Sequence, residues 1–358
     1  MKYFIIAGEA SGDLHGSHLV QEILKTDKTA VFKGLGGSLM KAANVDILIG
    51  LERLAFMGFY EVIKNIFTIR RNFKEVKNSI LDFKPDVVIL IDYPGFNLRM
   101  AKWCKLNGFK VAYYISPQIW AWKENRVEIV KKYVDTVLCI LPFEKAFYEK
   151  HHYHNAHFVG HPLLDCITDL DTASYLISSS NKTIALLPGS RQQEINVLLP
   201  IMLKTAEYFP NEKFIITGIS RLKEFYPAVL PSNVSICFDE MYAVLKNAKA
   251  AVVCSGTATL ETALFKVPQV VIYKTSWINY QIGKRLAKVN FISLPNLIAG
   301  EKIVEELLQN DCTTERITVE LNKLLNSSTH QFYNLLIDKT GPRGASGKAA
   351  KLILNLLD

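Results

Sequence analysis

The chain has 358 residues, more than one hydrophobic core ordinarily organises, so two domains are expected. Hydrophobic residues make up 49% and charged residues 21%, a globular balance that excludes intrinsic disorder. The formal charge of +8 suits an anionic partner (a membrane surface, a phosphorylated substrate or nucleic acid) and equally a merely basic soluble protein.

In chain order, the N-terminus enters a strand, KYFIIAG, without the basic-then-apolar layout of a signal peptide. No apolar run approaches the ~20 residues of a spanning helix, which points to a cytosolic protein able to touch a membrane surface. The next stretch, AGEASGDLHGSHLV (7–20), sits where an α/β protein holds a nucleotide's phosphates. Glu9 and Asp13 would repel phosphates there, so they are expected to face a hydroxyl-rich acceptor.

Segment 51–78 sets Phe56, Met57, Phe59, Tyr60, Ile63, Ile66, Phe67, Ile69 and Phe73 among Lys64, Arg70, Arg71, Lys74 and Lys77. That pattern fits an interfacial helix on anionic lipid, and also a core helix with a solvated basic face. PDVVILID then reads as a buried strand with Asp92 at its carboxyl end, and Pro94 and Gly95 expose the tip. Asp92 there is a candidate general base or the cap of the following turn. The helix NLRMAKWCKLNG closes on Gly108. In YYISPQIWAWKENRVE, Trp120 and Trp122 alternate beside Lys123 and Arg126, as a sugar or acyl platform or as two core tryptophans. The run His151, His152, His154 and His157 lacks a matching carboxylate or cysteine pattern and reads as a wet loop, so no metal site is expected. The six cysteines are scattered without a CxxC pair, which suits buried reduced thiols.

After a polar linker near 165–182 the α/β pattern restarts. LLPGSRQQEI (186–195) ends a strand, turns through Gly189 and Ser190, and opens a helix beside Arg191. It is either an anion loop or an ordinary strand–turn–helix corner. AVVCSGTATLETALFKVP (251–268) repeats the logic, with Ser255 and Gly256 at the strand end, Thr257 as helix cap, and Glu261 placed for ribose hydroxyls or as a helix-stabilising acid. Two such helix starts in one half point to a nucleotide diphosphate. The NAD and ATP fingerprints GxGxxG and GxxxxGK[ST] are absent.

The fold expected is therefore α/β: two Rossmann-like domains facing an interdomain cleft. Residues 1–165 form the acceptor domain, 166–340 the donor domain, and 341–358 a terminal helix packing back on the first.

In the order AGEASGD, LAFMGFYEV, IDYPGFN, SPQIWAW, LPFEKAFY, GHPLLD, LLPGSR, SGTATLE and SLPNLIAG, these stretches resemble the lipid-A-disaccharide synthases from residue 7 to about 300. The resemblance implies a GT-B glycosyltransferase of lipid A assembly, working at the cytoplasmic face of the inner membrane. It would transfer 2,3-diacylglucosamine from its UDP derivative to 2,3-diacylglucosamine 1-phosphate, inverting the anomeric centre and releasing UDP, with no cofactor. It further implies Asp92 as catalytic aspartate, Glu9 and Asp13 as an acidic acceptor loop, and Arg191, Glu261 and Asn296 as polar site residues. Family members often carry an acidic residue where this chain has Gly95, so a second carboxylate is missing there. A homodimer and an anionic membrane surface are the expected partners. Nucleic acid is not, because the basic residues are spread out and form no recognised module. Two other readings compete: a UDP-N-acetylglucosamine 2-epimerase, which would have no use for segment 51–78, and a lipid-binding protein with a vestigial UDP pocket.

Overall fold

The computed structural model describes residues 1–53, 66–170, 183–276, 280, 290–326 and 331–357. Phe56, Met57, Phe59 and Ile63 lie outside the described residues. The chain divides into two compact units, Met1–Ile167 with Gly341–Asp358, and Thr168–Thr340.

The first unit runs β1 (Lys2–Ala7), α1 (Ala10–Thr26), β2 (Val31–Gly36), α2 (Ser38–Ala42), β3 (Val45–Gly50), α3 (Ile66–Phe83), β4 (Val87–Ile91), α4 (Pro94–Leu106), β5 (Lys110–Tyr114), α5 (Ile119–Trp122), α6 (Val127–Tyr133), β6 (Thr136–Cys139), α7 (Glu144–Lys150), β7 (Ala156–Phe158) and α8 (Leu163–Leu170). Its strands pair in parallel in the order β3-β2-β1-β4-β5-β6-β7. Such sheets are buried on both faces, which explains the unbroken apolar runs. Along β1, Phe4 and Ile6 enter one core, while Tyr3, Ile5 and Ala7 enter the other.

The expected acidic loop is shorter than its sequence suggested, because α1 already begins at Ala10 and Glu9 is its N-cap residue. Its glycines are there for close packing. A Cβ on Gly12 would stand 3.2 Å from that of Ala7, and one on Gly16 would stand 2.7 Å from Met40 Sδ. Gly108, at φ +84°, takes the left-handed position just past α4.

The second unit runs β8 (Thr183–Leu187), α9 (Gln192–Glu207), β9 (Phe214–Gly218), β10 (Val234–Phe238), α10 (Met241–Lys246), β11 (Ala248–Cys254), α11 (Thr257–Leu264), β12 (Gln269–Tyr273), α12 (Leu294–Ala299), β13 (Glu305–Leu308), α13 (Thr314–Leu325) and α14 (Gln331–Lys339). Its parallel sheet has the order β10-β9-β8-β11-β12-β13. The last helix, α15 (Ala345–Asn355), returns to the first unit and packs on α1. Asp165 caps it, accepting from the N–H groups of Gly344 at 2.7 Å and Ser346 at 3.0 Å. All six cysteines are free thiols.

Candidate active site

In each sheet the strand order reverses once, between β1 and β4 and between β8 and β11. Ligands of open α/β sheets bind outside the carboxyl ends of the strands at such a switch point. Glu9 follows β1 and Asp92 follows β4, with Ala7 paired to Ile91 in register, so the first switch point is acidic.

Asp92 and Tyr93 are both left-handed, at φ 45° and 50°, and Ile115 at the end of neighbouring β5 has φ 61°. For residues carrying a Cβ this backbone is strained, and strain gathered at one sheet edge is characteristic of functional sites. Hydrogen bonds hold the elbow. The Tyr113 hydroxyl donates to the Asp92 carbonyl at 2.7 Å, and Asn97 Nδ2 donates to the same oxygen at 2.8 Å and to Ile91 O at 3.1 Å. The Tyr93 ring lies against Gly8, where any Cβ would collide with it.

Burial is the main force raising the Asp92 carboxyl to about 7. The Glu9 charge raises it further, and the Tyr93 N–H partly offsets both. A carboxylate poised near neutrality can take a proton at physiological pH. A Cβ on Gly95 would meet nothing, so the position faces open space.

Asp13 departs from its expected role. Oδ1 accepts from the N–H groups of Gly37 (2.7 Å) and Met40 (3.0 Å), and Oδ2 from that of Leu39 (3.1 Å). Helix α2 has only a glycine N-cap, with no side-chain cap bond of its own. Asp13 supplies the missing acceptor from α1, and it is 4% exposed.

Trp120 Nε1 donates to Glu144 Oε1 at 3.1 Å, and its ring meets the Phe143 ring edge-on at 4.7 Å between centroids. Glu144 Oε2 accepts from the N–H groups of Ile140 and Leu141, both at 3.0 Å. Burial lifts Glu144 to about 7 despite these bonds, and Asp92 adds to the rise. Trp122 lies in the same short helix, α5. The sequence reading passed over Glu144, whose only local sign is an acid just after a strand. On α3, Val76 and Ile80 enter the core, while Phe67, Arg70 and Arg71 stay exposed, Phe67 at 79%.

At the second switch point, Gly189 has φ +111°, and a Cβ there would strike Glu194. Glu194 accepts from the Ser190 N–H at 2.9 Å and from Arg191 Nη1 at 2.7 Å. Arg191 is the N-cap residue of α9, and Glu194 at the third helical position reaches back past it to the Ser190 N–H.

Beyond β11, Ser255 Oγ donates to Ile292 O at 3.3 Å. Gly256, rather than Thr257, is the N-cap residue of α11, because the extended backbone needed there falls at the glycine. A Cβ on Gly256 would meet nothing, so a ligand has room to approach this helix start. Glu261 is buried one turn further in and accepts from the Tyr242 hydroxyl at 2.6 Å, with its carboxyl raised by burial.

Asn296, expected as a polar site residue, is engaged by its own turn. Its amide donates to Val304 O at 3.0 Å and to Glu306 Oε1 at 2.8 Å, and accepts from the N–H groups of Ile303 and Val304. It is fully buried and shapes the turn after α12.

Solved structures show the same architecture. The glycotransferase of kitacinnamycin is similar at TM-score 0.71 and 11% identity, with 100% of this chain and 99% of that one covered. A putative UDP-N-acetylglucosamine 2-epimerase from Listeria monocytogenes is similar at TM-score 0.65 and 12% identity, with 99% and 94% covered. These define the class: paired Rossmann-like units of the GT-B type, used by glycosyltransferases and epimerases alike.

Sequence separates the two. Residues 3–341 match the family described as lipid-A-disaccharide synthetase. The lipid-A-disaccharide synthase of Geobacter sulfurreducens is 39% identical, covering 99% of this chain and 97% of its own. That of Coxiella burnetii (strain CbuG_Q212) is 38% identical, covering 99% and 98%. The chain belongs to the lipid-A-disaccharide synthase family of glycosyltransferases.

Proposed function

We infer that this chain joins UDP-2,3-diacylglucosamine to 2,3-diacylglucosamine 1-phosphate, giving the β-1,6-linked disaccharide 1-phosphate and UDP. The observation that carries the chemistry is Asp92 on its strained elbow beside Glu9, a half-buried, desolvated carboxylate that titrates near neutrality. Asp92 takes the proton from the acceptor 6-hydroxyl as that oxygen attacks the anomeric carbon. The bond from the anomeric carbon to the β-phosphate oxygen breaks, UDP departs with its electron pair, and the centre inverts.

Glu9 adds to the burial that keeps the proton affinity of Asp92 high, and Asp13 acts by holding the loop before α2. In the second unit, the Ser190 N–H, Arg191 and the starts of α9 and α11 stabilise the charge on the departing diphosphate. The diphosphate would draw on the donors that Glu194 engages. Gly189, Ser255, Gly256 and Thr257 give it backbone access, and Glu261 and Asn296 shape that side through Tyr242 and Glu306. Trp120, held by Glu144, would flank the acceptor.

No helix among the described residues is long and apolar enough to cross a membrane. Peripheral attachment at the cytoplasmic face is supported by the exposed Phe67, Arg70 and Arg71 on α3. They would meet acyl chains and anionic headgroups.

The test is purified chain with both substrates, following UDP release and product mass. A disaccharide phosphate supports the reading. UDP without disaccharide, or no UDP at all, overturns it.

A further inference from the structure

Strand β13 holds two neighbouring turns of the second unit. Glu306, paired in register with Val271 of β12, takes four hydrogen bonds from the turn that opens α12. Its Oε1 accepts from the Ser293 N–H at 3.0 Å, the Ser293 hydroxyl at 2.6 Å and Asn296 Nδ2 at 2.8 Å. Its Oε2 accepts from the Ile292 N–H at 3.0 Å. An ionised carboxylate has about four acceptor sites, so this turn uses the group in full. Ser293 is the N-cap residue of α12, yet its hydroxyl makes no cap bond and goes to Glu306 instead. Ser293 and Asn296 are both fully buried.

The same turn bears on the donor side. The Ile292 carbonyl accepts from Ser255 Oγ at 3.3 Å, and the Ser255 N–H donates to Ile272 O at 2.9 Å. Ser255 stands directly before Gly256, the N-cap residue of α11, and α11 packs on α12. Glu306 therefore reaches the α11 start through one residue, Ile292, whose N–H meets the carboxylate and whose carbonyl meets Ser255. Just past β13, Gln309 holds Thr275, beyond the end of β12, by two bonds. Its Oε1 accepts from the Thr275 N–H at 2.8 Å, and its Nε2 donates to the Thr275 carbonyl at 3.2 Å.

We propose that Glu306 is a positioning residue for the sugar-nucleotide donor, setting the Ser255–Gly256 strand end through Ile292 without touching the donor. This rests on the function inferred above, which assigns the departing diphosphate to the starts of α9 and α11. Backbone N–H groups stabilise developing charge best when they are held in place before the ligand arrives. Glutamine at 306 would keep one acceptor oxygen and turn an amide N–H pair toward the turn's own donors, which forces the turn to open.

The experiment titrates UDP into the full chain by calorimetry. The parent is compared with Glu306→Gln, Ser293→Ala and Ser255→Ala, and with Ser255→Ala combined with each of the other two. Melting curves establish that each variant is folded. Glu306→Gln should weaken UDP binding by about tenfold or more, the scale of lost preorganisation. Ser293→Ala removes only the 2.6 Å bond and should weaken it less; it carries the test if Glu306→Gln does not fold. Ser255→Ala should weaken UDP binding in the parent, yet add no more than about twofold to either of the others, because all act along one path. In steady-state assays, KM for the UDP-sugar should rise while KM for the acceptor stays near its parent value.

Unchanged UDP affinity in the folded Glu306→Gln or Ser293→Ala chain overturns the proposal. So do additive losses with Ser255→Ala, or equal rises in both KM values, because a merely structural carboxylate would favour neither substrate. A parent that binds UDP yet makes no disaccharide would sink the reaction while leaving the positioning role standing. A parent that binds no UDP would overturn the donor side itself, and this role with it.

Discussion

Asp92 combines a left-handed backbone with a desolvated, negatively flanked carboxyl, and both features are costly to the fold. As a base it must be ionised, so kcat/KM should fall on the acid side with a midpoint near the value of about 7. Glu9→Gln removes the charge that helps hold that value up, and its acid limb should move to lower pH. A limb that stays in place would unseat Asp92 or its coupling to Glu9. Asp92→Asn should cost about 10²- to 10⁴-fold in turnover. The same change should raise stability, and the sign follows from linkage. The folded-state pKa is raised from 3.8 to about 7, so the protonated form is favoured in the fold and stability is lost as pH climbs between those values. Asparagine does not ionise. Its melting temperature should match the parent's near pH 3, exceed it increasingly through pH 7, and stay above it beyond. A parent and variant melting alike at pH 8 would mean that Asp92 is not held in a destabilised state.

At the scale of elements, the donor-side loops depend on backbone geometry that few residues can adopt. Gly189→Ala places a Cβ at φ +111° against Glu194, the side chain that engages Ser190 and Arg191. Backbone strain of this kind costs about 1–3 kcal/mol, so the variant should melt earlier. It should also raise KM for the UDP-sugar while leaving KM for the acceptor near its parent value. Equal rises in both would argue that the loop does not hold the diphosphate. Helix starts and strand ends of this kind were legible in sequence, because apolar runs, glycines and the helical period are local signals. The partners of Asp13 and Glu261 were not. Each is satisfied by a segment distant in sequence (the loop before α2 and α10). A polar residue met in sequence looks free for catalysis until its long-range hydrogen bonds are known. Glu144 was missed for the converse reason, since its meaning lies in Trp120, 24 residues earlier.

For the whole molecule, the net charge of +8 matters through where it is displayed. Helix α3 turns Val76 and Ile80 into the first core and exposes Phe67, Arg70 and Arg71. The described part of that segment is thus a core helix on one face and a basic, aromatic surface on the other. An exposed Phe67 beside arginines suits the boundary between headgroups and acyl chains, where an apolar ring is buried and cations meet anionic lipid. Each basic residue near such a surface contributes about 1 kcal/mol. Arg70→Glu with Arg71→Glu removes two of them and adds repulsion, so affinity for phosphatidylglycerol vesicles should drop by roughly tenfold or more. Added salt should shrink the difference, because the Debye length falls to about 3 Å at 1 M. Phe67→Ala should weaken binding by an amount that salt does not alter, since burial of a ring is not a charge effect. If the charge reversal leaves sedimentation with anionic vesicles untouched, the basic face of α3 is only solvated, and membrane attachment must lie elsewhere on the chain.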